Sequence, residues 1–162
     1  MSHGSFDIIR AGALRGYCPL TRLLGHDPHP LLAEAGLSES DLDDPDHFVS
    51  LSSVAALLEV SASRLDCSDF GLRLSEMQSV EVLGAVAFAV RNSRDLRAAI
   101  ATTCKFIHHH SPMANITIQP GDVANEERIV FRNPEFKTGI QWAEQVVGLY
   151  ICISRHLISS RY

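Results

Sequence analysis

Three consecutive histidines, His108 to His110, are the residues of this sequence best suited to bind a metal, and Cys104 precedes them by four positions. Positions i and i+4 share one face of a helix, so Cys104 and His108 could bind zinc or a haem iron together. A complete site needs further ligands, and the sequence has no C-x-x-C or H-E-x-x-H motif to supply them. Histidines in the last turn of a helix also interact favourably with its negative end. We therefore predict that these histidines end a helix or line a pocket, and that the domain has no metal or other cofactor.

Catalytic motifs are missing from the sequence as well. It contains no G-x-S-x-G nucleophile motif and no glycine-rich phosphate loop. The four cysteines are far apart and lack a pattern that would activate a thiol; they are Cys18, Cys67, Cys104 and Cys152. We expect no enzymatic activity. Widely spaced cysteines and the lack of a secretion signal predict a reduced, cytoplasmic protein, and no apolar segment is long enough to span a membrane.

Aromatic side chains are spread over several predicted elements. Trp142 and Tyr150 lie on the last helix, and Phe88, Phe106 and Phe131 lie on three others. Aromatic residues distributed in this way can line an apolar cavity, or they can simply fill the core.

Composition and charge indicate one globular domain that does not bind DNA alone. The chain has 162 residues, of which 46% are hydrophobic and 20% charged; this length suits a single core. Its formal net charge is -5, and its basic residues form no run. Since neutralising phosphates supplies most of the affinity for nucleic acid, DNA binding by this segment alone is not expected.

Most of the chain has a helical pattern. Ile8 to Leu24 predicts short helices interrupted by glycine and proline, and Pro30 to Ala35 predicts another. A further helix is predicted to begin at a cap, Ser52 or Ser53, and to end at Leu65, and another is predicted around residues 70–74. The segment from Val80 to Val90 is apolar all round and predicts a buried helix. Ser93 is the predicted cap of a helix over 94–109, and Thr138 with Gln141 forms a capping-box pattern before a long helix that ends near Ser159.

Strand patterns occur in one region. Residues 115–119 and 127–132 alternate around isoleucine and valine, and Pro120-Gly121-Asp122 between them is typical of a turn. The predicted fold is therefore α+β and mostly helical, with one antiparallel hairpin and a long C-terminal helix.

The order of several loose motifs resembles the N-terminal, arabinose-binding-like domain of AraC/XylS-type transcription regulators. The matching segments are GHDPHPLLAEAGLSESDLDDPDHFVSLSSVAALLEVSA, DFGLRLSE and VLGAVAFAVRNSRDLRAAIATTCKFIHHHSP. Ser75 stands where glycine is usual in this family, and Asp95 where threonine is common. The resemblance extends over about residues 10–158 and rests on structural residues, not on a catalytic signature.

This resemblance implies an effector-binding domain that forms homodimers and is joined to a C-terminal double helix-turn-helix domain, which binds the DNA. We expect residues 1–162 to be one such domain, shortened and without the DNA-binding part. The predicted effector is a small molecule, and apolar lining does not favour a sugar. The residues predicted to line its pocket are Phe88, Phe106, His109, Phe131 and Trp142. The alternatives are a metal or haem sensor that uses Cys104 and His108 to His110, and an interaction module without a ligand.

Overall fold

The computed structural model describes residues 7–132 and 139–159. Seven α-helices are present in these ranges: α1 (Tyr17–Leu23), α2 (Pro28–Glu34), α3 (Leu51–Arg64), α4 (Phe70–Glu76), α5 (Ala85–Arg91), α6 (Leu96–Phe106) and α7 (Ile140–Ser159). Four strands form two antiparallel pairs: β1 (Ile8–Arg10) with β2 (Phe48–Ser50), and β3 (Asn115–Pro120) with β4 (Glu127–Arg132). The predicted fold class is confirmed, as are the hairpin and the long last helix. Within the described ranges, no helix is both long and apolar enough to cross a membrane.

The β1–β2 pair is a correction to the sequence prediction, which placed Ile8 to Arg10 in a helix and expected strands only in the hairpin. Ile9 lies opposite Val49, and both side chains are buried. Three residues are too few for the alternation of a strand to be recognised in the sequence.

Two helix caps also lie elsewhere than predicted. The hydroxyl of Ser50, not of Ser52 or Ser53, accepts a hydrogen bond from the Ser53 N–H at 3.2 Å and begins α3. Asp95, not Ser93, caps α6, since its carboxylate accepts from the Ala98 N–H at 2.7 Å. Both residues are of the types favoured at this position. α6 ends at Phe106, and a 3₁₀ turn continues it over Ile107–His109.

The apolar segment 80–90 is not the single buried helix that its composition predicts. A 3₁₀ turn covers Val80–Leu83, Gly84 follows at a φ of +59°, and α5 then begins. The Arg10 guanidinium occupies the space beside Gly84, where a Cβ atom would lie 2.0 Å from Nη1. The same guanidinium donates to the Val82 carbonyl at 3.3 Å. Glycine is required here because only a residue without a side chain allows both this φ and this close approach.

Buried side chains form two hydrophobic cores. The first lies among β1, β2 and helices α1 to α4, and the second among the 80–83 turn, α5, α6 and β3. Helix α7 contributes to both, with Trp142 in the first core and Leu157 in the second. It is therefore the element that joins the two halves of the domain.

Helix α7 is held against α4 by close backbone contact and by one glutamine. A Cβ on Gly71 would lie 2.0 Å from the Gln141 carbonyl oxygen, and one on Gly148 would lie 2.2 Å from Ser75 Oγ. The Gln141 side chain accepts from the Gly71 N–H and donates to the Ser68 carbonyl, both at 2.8 Å. Thr138, the other half of the predicted capping box, lies outside the described residues.

Candidate ligand-binding cavity

A cavity of about 70 Å³ lies where the two cores meet, between α6, the β3–β4 hairpin and α7 on one side and Ile9, Ala13 and Leu51 of the first core on the other. Most of its wall is aliphatic. The apolar lining includes Val82, Leu83, Val90, Leu96, Ala99, Ile100, Ile107, Ile116, Val146, Leu149, Ile153 and Leu157. A volume of this size holds between two and about five water-sized groups. Pockets that bind drug-sized molecules are larger, at roughly 300–1,000 Å³.

Eight polar side chains interrupt this apolar wall, and four of them have a buried atom without a hydrogen-bond partner among the described residues. These atoms are His110 Nδ1, Trp142 Nε1, Gln145 Oε1 and Tyr150 OH. Leaving a buried polar group unpaired costs about 1–3 kcal/mol. Four such groups around one cavity are unusual in a native fold and call for an explanation. A bound molecule that pairs with them would be a natural explanation.

Burial keeps two of these groups uncharged. Desolvation, followed by repulsion from the nearby Arg10 guanidinium, lowers the pKa of His110 to about 4. Desolvation, followed by the proximity of Cys104, raises the pKa of Tyr150. His110 is therefore neutral and Tyr150 protonated at physiological pH. None of the described residues that line the cavity is an aspartate, glutamate, lysine or arginine.

Gln145 is fixed by a buried hydrogen-bond network. Its amide nitrogen donates to the Ala13 carbonyl at 2.7 Å and to Gln78 Oε1 at 3.1 Å. Gln78 in turn donates to the carbonyls of Ala13 and Arg15, both at 2.9 Å. This network orients the Gln145 amide and leaves Oε1 as its polar atom without a partner among the described residues. It also connects α7 to the 3₁₀ turn Ala11–Leu14, which belongs to the first core.

The structure brings together two of the five residues predicted to line a pocket. Phe131 and Trp142 both contribute to the cavity wall. Phe88 lies on the outer face of α5 and is 76% exposed. Phe106 packs against the second core, and its ring stacks on His109 with centroids 6.3 Å apart. Neither Phe106 nor His109 is among the residues that line this cavity.

Three of the four residues with an unpartnered atom, His110, Gln145 and Tyr150, were not among the residues predicted to line the pocket. One signal was available for Gln145, since Trp142, Gln145 and Leu149 follow at helical spacing on the apolar face of α7, where a polar residue is unexpected. His110 had no such signal, because its two neighbours have the same side chain and only the fold distinguishes them.

The histidines do not converge on one point. His110 is buried in the cavity wall, whereas His108 and His109 are exposed. Cys104 and His108 line a different feature, a surface groove of about 340 Å³. Within the described ranges, no group of three or more His, Cys, Asp or Glu residues is placed to hold a metal ion.

Comparisons with known proteins agree with the resemblance that the sequence suggested. A family model described as the arabinose-binding domain of AraC transcription regulator, N-terminal, matches residues 25–162. The HTH-type transcriptional regulator VirS of Mycobacterium tuberculosis, found in two strains, is 39% identical to this chain over 111 residues. That alignment covers 68% of this chain and 33% of VirS, so the chain spans about a third of the length of this relative. The predicted family is confirmed: the chain belongs to the N-terminal, arabinose-binding domains of AraC-type transcription regulators.

Proposed function

We propose that this domain senses a small-molecule effector for an AraC-type regulator, and that the effector binds in the cavity where the two cores meet. The observation that carries the proposal is that four residues with a buried, unpartnered polar atom all line one mostly apolar cavity. A ligand would complete their hydrogen bonds and would also bury apolar surface, which together explain why such a wall is favourable.

The size of the cavity supports a sensing role. Because about 70 Å³ is smaller than most effectors, binding requires the walls to separate. A ligand of this kind binds the expanded state better than the closed one, and this difference in affinity is what shifts an equilibrium between two states. The wall includes Trp142 to Leu157 of α7, and the same helix packs on α4 through Gly71 and Gly148. Movement at the cavity would therefore reach the first core through one rigid element.

Helix α7 also supports a role in dimerisation. Its exposed face carries Ile140, Val147, Ile151 and Ile158, at spacings of seven, four and seven residues. This spacing is typical of the contact stripe of paired helices. A second copy of the domain could cover the stripe with its own α7 around a twofold axis. The effector cavity and the dimer contact would then lie on two sides of one helix.

DNA binding is assigned to a separate part of the regulator, since this domain has a net charge of -5. The proposed function requires a cytoplasmic location, where the DNA is accessible. The family description names arabinose, but the apolar wall does not favour a sugar, whose many hydroxyl groups would need partners.

The test is a thermal-stability screen of metabolites with a variant whose cavity is filled. A compound that binds only the folded state raises the unfolding midpoint. Ala99 is buried in the cavity wall, so Ala99→Leu should abolish the shift caused by any true effector. Ala56→Leu, on the exposed face of α3, is the matched control and should respond like the unmodified chain.

Tyr150→Phe removes only one hydroxyl and provides a milder variant if Ala99→Leu unfolds the domain. It should reduce the shift caused by a ligand that bonds to this hydroxyl. The proposal would be overturned if compounds shifted the filled variant and the control equally, or if no class of compound shifted the unmodified chain.

A further inference from the structure

We infer that the site takes an uncharged, elongated and largely apolar molecule with a hydrogen-bonding group at one end. Its polar end would lie among the four unpartnered atoms, and its chain would leave the cavity between Ile107 and Ile116. This inference rests on the proposed function and specifies the ligand class.

The described part of the wall offers no opposite charge to an ionised ligand. None of the described residues that line the cavity carries a charge at neutral pH, because His110 is held neutral by burial. The nearest guanidinium, of Arg10, is already engaged with the Val82 carbonyl and ion-paired with Asp46. A carboxylate in this site would lose its hydration without gaining a cation, which is strongly unfavourable.

The donor and acceptor capacities of the four atoms match those of one small polar group. Trp142 Nε1 can only donate and Gln145 Oε1 can only accept, while the Tyr150 hydroxyl can do either. His110 Nδ1 donates or accepts according to its tautomer. A terminal hydroxyl, which both donates and accepts, satisfies atoms of both kinds.

The route by which the ligand's chain leaves the cavity is defined by a wall that the cavity shares with a surface groove. Ile107, Ala114 and Ile116 line both the inner cavity and the surface groove between α6 and β3. The outer side of the groove is formed by Cys104, Pro112 and Met113, among others. The cavity and the groove therefore lie on either side of the same three residues. A change of rotamer at Ile107 and Ile116 would then join the cavity and the groove into one channel.

Straight-chain alcohols and carboxylates of four to ten carbons test both parts of the inference. The chain has a single tryptophan, Trp142, and it lies in the cavity wall, so its fluorescence reports occupancy directly. Alcohols should bind, with affinity rising about fourfold for each added methylene. Carboxylates of equal length should bind at least about a hundredfold more weakly, because an unpaired ion is buried.

Met113→Glu tests the channel. Met113 lines the groove but not the inner cavity. The substitution should therefore remove the increase in affinity that the longer alcohols show over butanol, and it should leave the affinity for butanol itself unchanged. Leu23→Glu, an exposed leucine on α1, is the control and should change neither.

Carboxylates that bind within tenfold of the alcohols would overturn the assignment of an uncharged ligand. If Met113→Glu and Leu23→Glu changed the affinity for long alcohols equally, the proposed channel would be overturned. Failure of both series to bind would overturn the inference as a whole. The sensing role would still be judged separately, by the response of the Ala99→Leu variant to the metabolite screen.

Discussion

Replacing His110 with leucine should make the domain less sensitive to acid. His110 is 8% exposed, and burial together with the Arg10 charge lowers its pKa to about 4 in the folded state. In the unfolded chain its pKa returns to about 6.5. Below pH 6.5 the unfolded chain therefore binds a proton that the folded domain does not. The free energy of unfolding must fall as the pH is lowered from 6.5 towards 4.

The size of this effect follows from the two pKa values. The slope approaches about 1.4 kcal/mol per pH unit between them. Between pH 7.5 and pH 5.0, His110 alone should lower the free energy of unfolding by about 2 kcal/mol. For a domain of this length, that corresponds to a fall of about 4–8 °C in the unfolding midpoint. Leucine at this position does not titrate, and it removes the unpartnered Nδ1 atom from the cavity wall.

Urea unfolding followed by Trp142 fluorescence at pH 7.5, 6.5, 5.5 and 5.0 measures the difference. Carboxylates also titrate in this range, so the unmodified chain and the variant are compared at each pH. Between pH 7.5 and pH 5.0, the free energy of unfolding of the variant should rise by about 2 kcal/mol relative to that of the unmodified chain. His26→Leu, in an exposed turn, controls for the removal of a histidine as such. Parallel plots of the free energy of unfolding against pH for the unmodified chain and the His110→Leu variant would refute the reasoning. They would mean that His110 binds its proton equally in the folded and the unfolded state.

Three further predictions concern α7. Gly71→Ala should destabilise the domain by about 1–3 kcal/mol in urea unfolding, because its Cβ would overlap the Gln141 backbone; an unchanged midpoint would show that the two helices separate freely. Gln141→Met should cost about 2 kcal/mol in the same measurement, since it leaves the Gly71 N–H and the Ser68 carbonyl unpaired; a loss below about 0.5 kcal/mol would contradict this docking role. Ile151→Glu should convert a dimer to a monomer in sedimentation equilibrium, whereas Phe88→Glu on the exposed face of α5 should not; a dimer that survives Ile151→Glu would exclude the α7 stripe as the contact.

Helical periodicity was sufficient to predict the long elements of the fold. Helix α7 and the hairpin were predicted nearly to the residue, because their apolar positions recur over many residues. The errors occur where a distant residue determines the local structure. Gly84 interrupts the apolar segment because Arg10, more than seventy positions earlier, fills the space beside it. No local pattern contains that information.

The site was less predictable than the fold for a related reason. The sequence prediction selected large aromatic residues, and two of them, Phe131 and Trp142, do line the cavity. The polar residues that give the cavity its chemical character are a glutamine, a tyrosine and one of three adjacent histidines. Each is ordinary in sequence and becomes unusual only when burial leaves one of its atoms without a partner among the described residues.

The position of Gln145 relates the cavity to the rest of the domain. Its amide nitrogen donates to the Ala13 carbonyl, in the first core, and to Gln78, and both of these residues also line the cavity, while its carbonyl oxygen is buried without a partner among the described residues. A ligand that donates to this oxygen would act on a side chain already anchored to the first core through Ala13. Displacing that side chain would break buried hydrogen bonds, each worth about 0.5–1.5 kcal/mol. This energy lies in the range of allosteric coupling between sites, about 1–3 kcal/mol. Gln145 is therefore the side chain through which we expect an effector to alter the contact between the two cores.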